Sequence, residues 1–514
     1  MPDAQTTPPL IARAEAHRAR TALVGPEGAF TYGDLLDASA RVAATLLAGQ
    51  ADLGEGRVAF LVPPGFHHVA VQWGIWRAGG VAVPLGVTHP PPELERVVRD
   101  SGAETVVGAP EVATALRPVA TAARVRYLTT SQVLAPRRLS PAGARLSTML
   151  SVPPVPLPAV AATRRAMIVY TSGTTGQAKG VVSTHANLAA QIASLVEAWE
   201  WRADDRILLV LPLHHVHGIV NVLSSALWAG ATCETLPGFD ADRTWDVIAA
   251  GRLSLFMAVP TIYRRLIAAW EAAPLDRRRA LASGSRRMRL MVSGSAALST
   301  ATFERWREIT GHSLLERYGM TEFGMALAGA LHGERRPGHV GGPLPGVEVR
   351  LVGEDGAPVA PGEPGEIEVR GPAVFLEYWG KPDATRAAFR DGWFRTGDTA
   401  VVDEGGYRIL GRTSSDILKT GSYKVSALEI EDVLRNHPAI ADCAIVGVAH
   451  PDWGDKICVA AELKPGQLLG LEELREWAKE RLAPYKIPKD LQCLPALPRN
   501  AMGKVVKPEI AKLF

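Results

Sequence analysis

Apolar strand-like runs and amphipathic helix-like runs alternate along the first 330 residues, and this rhythm constrains the fold more than any other feature. "RVAFLVP" is apolar throughout, as a strand covered on both faces must be. Before it, Thr31 can cap the helix "YGDLLDASARVAATLLAG", where Leu35, Leu36, Val42, Ala43 and Leu46 recur at helical spacing. After it, "HHVAVQWGIWRAGG" reads as a helix stopped by glycine. The strands "RILLVLP", "LFMAV", "RLMVSGS" and "HSLLERYG" then alternate with the helices "IVNVLSSALWAG", "PTIYRRLIAAWEA" and "TATFERWREITG". Such an order implies parallel strands with right-handed crossovers, and ligands bind beyond their carboxyl ends. Those ends read "PLHHVHG", "VPT", "SGSA" and "RYGMTE", so a polar site assembled from them is expected.

A chain of 514 residues exceeds what one core supports, so at least two domains are expected. Residues 134–164, rich in Pro, Ala and Arg, read as an irregular connection. From about residue 340 the texture turns to β with Gly/Pro punctuation, "GGPLPGVEVRLVGEDGAPVAPGEPGEIEVRGP", which suggests a small distorted barrel reaching to about 411. Gly and Ser cluster again in "GRTSSDILKTGS". The remainder pairs the helices "ALEIEDVLRNH" and "LEELREWAKERL" with the strands "IADCAIVGVAH" and "KICVAAELK". The expected division is therefore an α/β N-terminal domain, 1–411, of parallel-rich sheets with flanking helices and the barrel, and a small α+β domain, 412–514.

Composition removes other classes. A net charge of +3 without a concentrated Lys/Arg run gives no argument for nucleic acid. The four cysteines, Cys233, Cys443, Cys458 and Cys493, are dispersed and form no CxxC pair, so neither a zinc site nor a disulfide framework is indicated. No run of eighteen apolar residues occurs, which argues against a membrane span. The N-terminal stretch lacks the apolar core of a signal peptide, and Asp3 and Glu15 accompany its arginines. Cytoplasm is the expected location.

One stretch is dense in donors. Between Tyr170 and Gly180 stand three glycines, five hydroxyl side chains and Lys179, directly after an apolar strand. Glycines let a backbone approach phosphate oxygens, and hydroxyl and ammonium groups add donors. The spacing is not that of the Walker loop, and "GVVS" reads as a returning strand with a helix beginning near Asn187.

The ordered set "YTSGTTGQAKG", "RYGMTE", "WFRTGD", "GRTSSDILKTGSYKVSALEIE" and "PRNAMGK" resembles the adenylate-forming superfamily of acyl-CoA synthetases, luciferases and adenylation domains, over essentially the whole chain. Within it, "PLHHVHG", "FMAVPTIY", "SGSAALS", "LLERYGMTE" and "PRNAMGK" are similar to the malonyl-CoA synthetase branch. The resemblance implies that Thr171, Ser172, Gly173, Thr174, Thr175, Gly176 and Lys179 hold the β- and γ-phosphates of ATP. It implies that Tyr318, with Gly319, packs on adenine, that Thr321 bonds the α-phosphate, and that Glu322 ligates Mg²⁺. Asp398 would accept the ribose hydroxyls, Arg412 would add a ribose contact, and Lys504 would bridge the carboxylate and α-phosphate. The small domain would be mobile, turning about a hinge that counting from Arg412 places at Ser414 or Ser415, serines where the family commonly has Asp or Lys. Gly421 and Ser422 would then line the path of the CoA thiol.

The acid is read from Arg317. A fatty acid wants an apolar wall, whereas a dicarboxylate needs a cation for its second carboxylate. The resemblance assigns Arg317 that task, with Ser295, His215 and His217 lining the pocket and Met320 beside the methylene carbon. Malonate, or methylmalonate, ATP and CoA are the expected partners, and a separate carrier protein is the alternative thiol. The sequence does not fix the oligomeric state.

Overall fold

The computed structural model describes residues 6–135, 156–171, 178–420, 423–450, 454–500 and 503–514. The N-terminal part holds two large sheets. One has seven strands in the order Glu377–Tyr378, Lys179–Thr184, Arg165–Thr171, Val81–Pro84, Arg57–Leu61, Thr105–Gly108 and Arg126–Thr129. The other has nine, Gly342–Pro343, Leu327–Ala328, Leu315–Tyr318, Leu290–Gly294, Leu255–Ala258, Arg206–Leu209, Thr232–Thr235, Thr21–Gly25 and Gly28–Thr31. Six consecutive strands of the nine pair in parallel, with antiparallel strands at both margins.

Both sheets share one core. It joins Val58, Phe60 and Ala82 of the first sheet to Ile207, Leu255 and Leu290 of the second. The helix Phe66–Arg77 lies within it, with ten of its twelve residues buried, as an apolar sequence without a polar stripe requires. Trp76 donates from Nε1 to the Ala166 carbonyl at 2.7 Å, tying this helix to the seven-stranded sheet. On its other side Gly74 admits the helix Tyr32–Leu47, because a Cβ there would stand 2.4 Å from Val42. That second helix starts where the sequence places it, with Thr31 and Asp34 closing a capping box.

Two local features differ from the sequence reading. The helix after the donor-rich stretch begins at His185, because Thr184 caps it and Asn187 completes the box instead of opening the helix. The segment read as one α-helix from Ile219 is π-helical over His217–Ser224 and becomes α-helical only at Ser225–Ala229.

The segment expected to form a barrel is a five-stranded antiparallel sheet built around the long strand Trp393–Asp403, which pairs with Gly365–Arg370, Phe389–Arg390 and Gly406–Arg412. Register shifts at Glu366/Glu368 and Thr399/Ala400 bend it. Its core meets Val181, Phe323 and Leu327, so the barrel closes the ends of both large sheets. The C-terminal part has its own sheet, Tyr423–Ser426, Ile417–Thr420, Gly454–Leu463, Ile440–His450 and Asp490–Leu494, and separate cores. Among the described residues no helix is long and apolar enough to cross a membrane.

Candidate active site

Four neighbouring parallel strands, Arg206–Leu209, Leu255–Ala258, Leu290–Gly294 and Leu315–Tyr318, end on one edge of the nine-stranded sheet. Arg317 sits in register with Gly294, and a Cβ at that glycine would lie 2.5 Å from Arg317 Nε. The guanidinium is 4 % exposed and donates from Nη2 to Ser295 Oγ at 3.0 Å. Its Nε is buried without a partner, and among the described residues it forms no ion pair. Burial alone pushes its pKa down to about 9.

Ser295 adopts φ +70°, a left-handed conformation that side chains rarely take, and its Oγ lies 3.2 Å from His217 Nδ1. Because guanidinium only donates, Ser295 accepts from Arg317 and turns its own hydrogen to Nδ1. His217 Nε2 then carries the proton and stands unpartnered in the pocket, as does buried His215 Nε2. Burial, then the Arg317 charge, holds His217 well below the usual histidine range. Burial and the nearby Lys504 cation hold His215 at about 4.

Lys504 reaches this place from the C-terminal part. Its loop is fixed by mutual bonds with Asn500, 3.0 Å from Lys504 N to Asn500 Oδ1 and 2.9 Å from Asn500 N to Lys504 O. The residue keeps solvent-accessible area although protein atoms crowd its ammonium group. That desolvation, with the charges of Arg412 and Arg317, lowers its pKa.

A second cluster lies on the barrel side. Tyr318 donates to Asp398 Oδ2 at 2.5 Å, and Arg412 Nε meets Asp398 Oδ1 at 3.0 Å while its Nη1 donates to the Thr396 carbonyl. Asp398 is 7 % exposed, and burial raises its pKa. Gly319 follows Tyr318 so tightly against Gly324 that a Cβ would stand 2.0 Å from its carbonyl oxygen. Glu322 is buried, accepts from Tyr378 Oη at 2.8 Å, and has its pKa raised by burial. Lys179 places Nζ 4.7 Å above the same Tyr378 ring.

The other expected residues fall as follows. Thr171 ends the strand Arg165–Thr171 in register with Lys179. Thr321 occupies the partly exposed turn between Tyr318 and Glu322. Met320 packs toward the barrel cluster with Tyr318. Ser414 and Ser415 form the turn after Gly406–Arg412, which Asp416 closes by donating to the Arg412 carbonyl at 2.8 Å and accepting from Arg412 N at 3.0 Å. Ser172, Gly173, Thr174, Thr175, Gly176, Gly421 and Ser422 lie outside the described residues. Sequence reasoning missed Tyr378 and Asp416, whose roles come from partners 56 and 91 positions away.

A nucleotide and an acid therefore have separate places. Arg317, Ser295 and His217 form a polar pocket suited to a carboxylate, while Asp398, Arg412, Glu322 and Lys179 present the acceptors and cations that a nucleotide needs. Comparison with known proteins agrees. The AMP-binding enzyme family model matches residues 10–379, and the AMP-binding enzyme C-terminal domain matches residues 429–504. The mitochondrial malonate–CoA ligase ACSF3 of Xenopus laevis is 45 % identical, covering 98 % of this chain and 92 % of that protein. ATP-bound MatB from Rhodopseudomonas palustris superimposes with a TM-score of 0.87 at 33 % identity, covering 99 % of both chains. Apo MatB from the same organism gives 0.78 at the same identity and coverage. The chain belongs to the family of AMP-binding, adenylate-forming enzymes.

Proposed function

We propose that this enzyme is an AMP-forming malonate–CoA ligase. The observation that carries the reading is the buried Arg317 guanidinium, which has a hydroxyl partner and no carboxylate among the described residues. A buried unpaired cation is costly, and the second carboxylate of a dicarboxylic acid relieves it. The similarity to ACSF3 and MatB supports malonate as that acid, with methylmalonate as its nearest congener.

In the first half-reaction the free carboxylate of malonate attacks the α-phosphorus of ATP, forming malonyl-AMP and releasing pyrophosphate. Charge builds on the transferred group, so preplaced cations lower the barrier. Lys504 stands near Arg317 and Asp398, between the acid and ribose clusters, and bridges the carboxylate and α-phosphate. Asp398 and Arg412 hold the ribose, Tyr318 covers the adenine, Thr321 bonds the α-phosphate, and Lys179 meets the outer phosphates. The buried Glu322 carboxylate, fixed by Tyr378, would hold Mg²⁺, which would neutralise phosphate charge when bound. In the second half-reaction the CoA thiolate attacks the acyl carbonyl and AMP departs. Lys504 must then withdraw, which requires the small domain to turn at Ser414–Ser415 and bring Gly421 and Ser422 to the thiol path.

The test is AMP release from a panel of small acids with ATP, Mg²⁺ and CoA. Malonate should exceed acetate, propionate and butyrate, and a preference for a monocarboxylate would overturn the reading. Running free CoA against a separate phosphopantetheinyl carrier protein identifies the thiol. Cytoplasm is the proposed location, checked by fractionating cells that express the native gene.

A further inference from the structure

A chain of ion pairs runs through the C-terminal part from the hinge turn to the domain interface. Lys507 Nζ meets Asp416 Oδ1 at 2.5 Å and Glu431 Oε1 at 2.8 Å, and Arg435 joins Glu431 at 3.2 Å to Asp442 at 2.9 Å. Asp442 is 6 % exposed and collects two more guanidiniums. Arg499 reaches its Oδ2 at 2.6 Å and also donates to the Gly503 carbonyl at 2.9 Å, so it braces the loop that carries Lys504. The third is Arg264, 3.1 Å from Oδ2, and it comes from the helix Pro260–Ala272 of the N-terminal part.

Arg264 is the one member of this network from outside the C-terminal part among the described residues. Another polar tie from the C-terminal part is Asp432, whose two carboxylate oxygens accept from Thr300 N and Thr300 Oγ1, both at 3.2 Å, at the start of the helix Thr300–Thr310. Both ties exist in the arrangement that puts the Lys504 charge within range of Arg317 and Asp398. Turning the small domain about Ser414–Ser415 must break them, whereas the pairs from Asp416 to Asp442 and Arg499 travel together.

We infer that Arg264 is a positioning residue for adenylation: by pairing with Asp442 it latches the small domain where Lys504 and its Arg499-braced loop face the acid and nucleotide. Asp442 keeps Arg435 and Arg499 when Arg264 lets go, so no buried charge is stranded and the latch releases reversibly. For the same reason Arg264 can be replaced without unfolding the C-terminal core. The half-exposed position of Arg264 keeps the tie modest, which suits a contact that breaks in every turnover.

The inference rests on the two-step ligase reading and is tested with the full-length enzyme as Arg264→Gln, Arg264→Lys and Asp432→Asn. Acid-dependent pyrophosphate exchange should fall about 3- to 10-fold in Arg264→Gln and Asp432→Asn, and recover in part in Arg264→Lys. Thioester formation from supplied malonyl-AMP and CoA should be unchanged or faster, and Tm unchanged. Exchange by the wild type should weaken as KCl rises, and Arg264→Gln should lose much of that salt sensitivity. Equal loss in both half-reactions, or full exchange in both Arg264→Gln and Asp432→Asn, overturns the latch. Should the wild type exchange with another acid and not malonate, the substrate reading falls, and the same half-reaction ratio with that acid still decides the latch.

Discussion

The guanidinium of Arg317 donates to Ser295 Oγ at 3.0 Å, and that hydroxyl links it in turn to His217 at 3.2 Å. A charge held by neutral partners alone defines what the pocket lacks. Removing the charge should therefore change the choice of acid more than the stability of the fold.

If Arg317 pairs with malonate's distal carboxylate as proposed, Arg317→Met withdraws that counter-ion, a loss of about 3–5 kcal/mol for a broken buried pair. The kcat/KM for malonate should fall by about two to three powers of ten or more, while butyrate gains relative to it. ATP affinity should hardly change, because Tyr318 and Asp398 keep their contact. The ratio of kcat/KM for malonate to that for butyrate decides. A ratio equal to wild type would show that the histidines, not Arg317, select the acid.

Lys504→Ala should cut malonyl-AMP formation by about two to three powers of ten, since a preplaced cation at the developing charge is lost. Conversion of supplied malonyl-AMP to thioester should persist. Single-turnover assays of the two steps provide the check, and parallel losses would refute the division of labour.

Tyr378→Phe keeps the ring beneath Lys179 and removes the hydroxyl bonded to Glu322. A hydrogen bond to a charged group is worth about 1.5–3 kcal/mol, so adenylation should slow roughly 10- to 100-fold. The Glu322 carboxyl loses a group that favours its ionised form, so the acid limb of the pH–rate profile should move to higher pH. Identical profiles for wild type and variant would exclude a role through Glu322.

Glu316, beside Arg317 on the same strand, is 7 % exposed and accepts from Gly338 N at 2.7 Å. Burial pushes its carboxyl up to about 8 from the ordinary 4.5. A raised folded pKa means that the folded chain holds a proton that the unfolded chain releases. Its contribution is full below about 4.5, declines by up to about 1.4 kcal/mol per pH unit, and is gone above about 8. Glu316→Gln carries a neutral amide in place of the protonated carboxyl, so the stability of wild type relative to this variant, followed by denaturant titration, should fall as pH rises through this window. A difference independent of pH would show that Glu316 is ionised in the fold.

The chain displays its large-scale plan and conceals what depends on distant partners. The mostly apolar runs at 206–212, 255–259 and 289–295, with the shorter one at 314–315, mark adjacent parallel strands because burial on both faces disfavours polar residues there, which makes buried Glu316 and Arg317 conspicuous. The plan puts Arg317 and Ser295 at strand ends, and the family resemblance singles them out there. Tyr378 was illegible: an aromatic after a glutamate resembles any strand residue, and its value comes from Glu322 across the fold. The π-helical turn at His217–Ser224 was equally hidden, because its apolar sequence suits either helical pitch. Asp416 looked like one more polar residue of a Gly/Ser-rich turn until Lys507 arrived from the far end of the chain.

The seven-stranded sheet has a consequence for how the protein is made. Its edge strand Lys179–Thr184 is covered by Glu377–Tyr378, which the ribosome delivers about two hundred residues later. At about 5–20 residues per second that edge waits roughly ten to forty seconds with open backbone donors and acceptors. Arg165, which holds Glu377 at 2.9 Å once it arrives, must meanwhile stay paired with Glu55 alone. The tyrosine that anchors Glu322 is thus among the last parts of the N-terminal sheets to emerge, so the bond that fixes Glu322 forms only when this edge is covered.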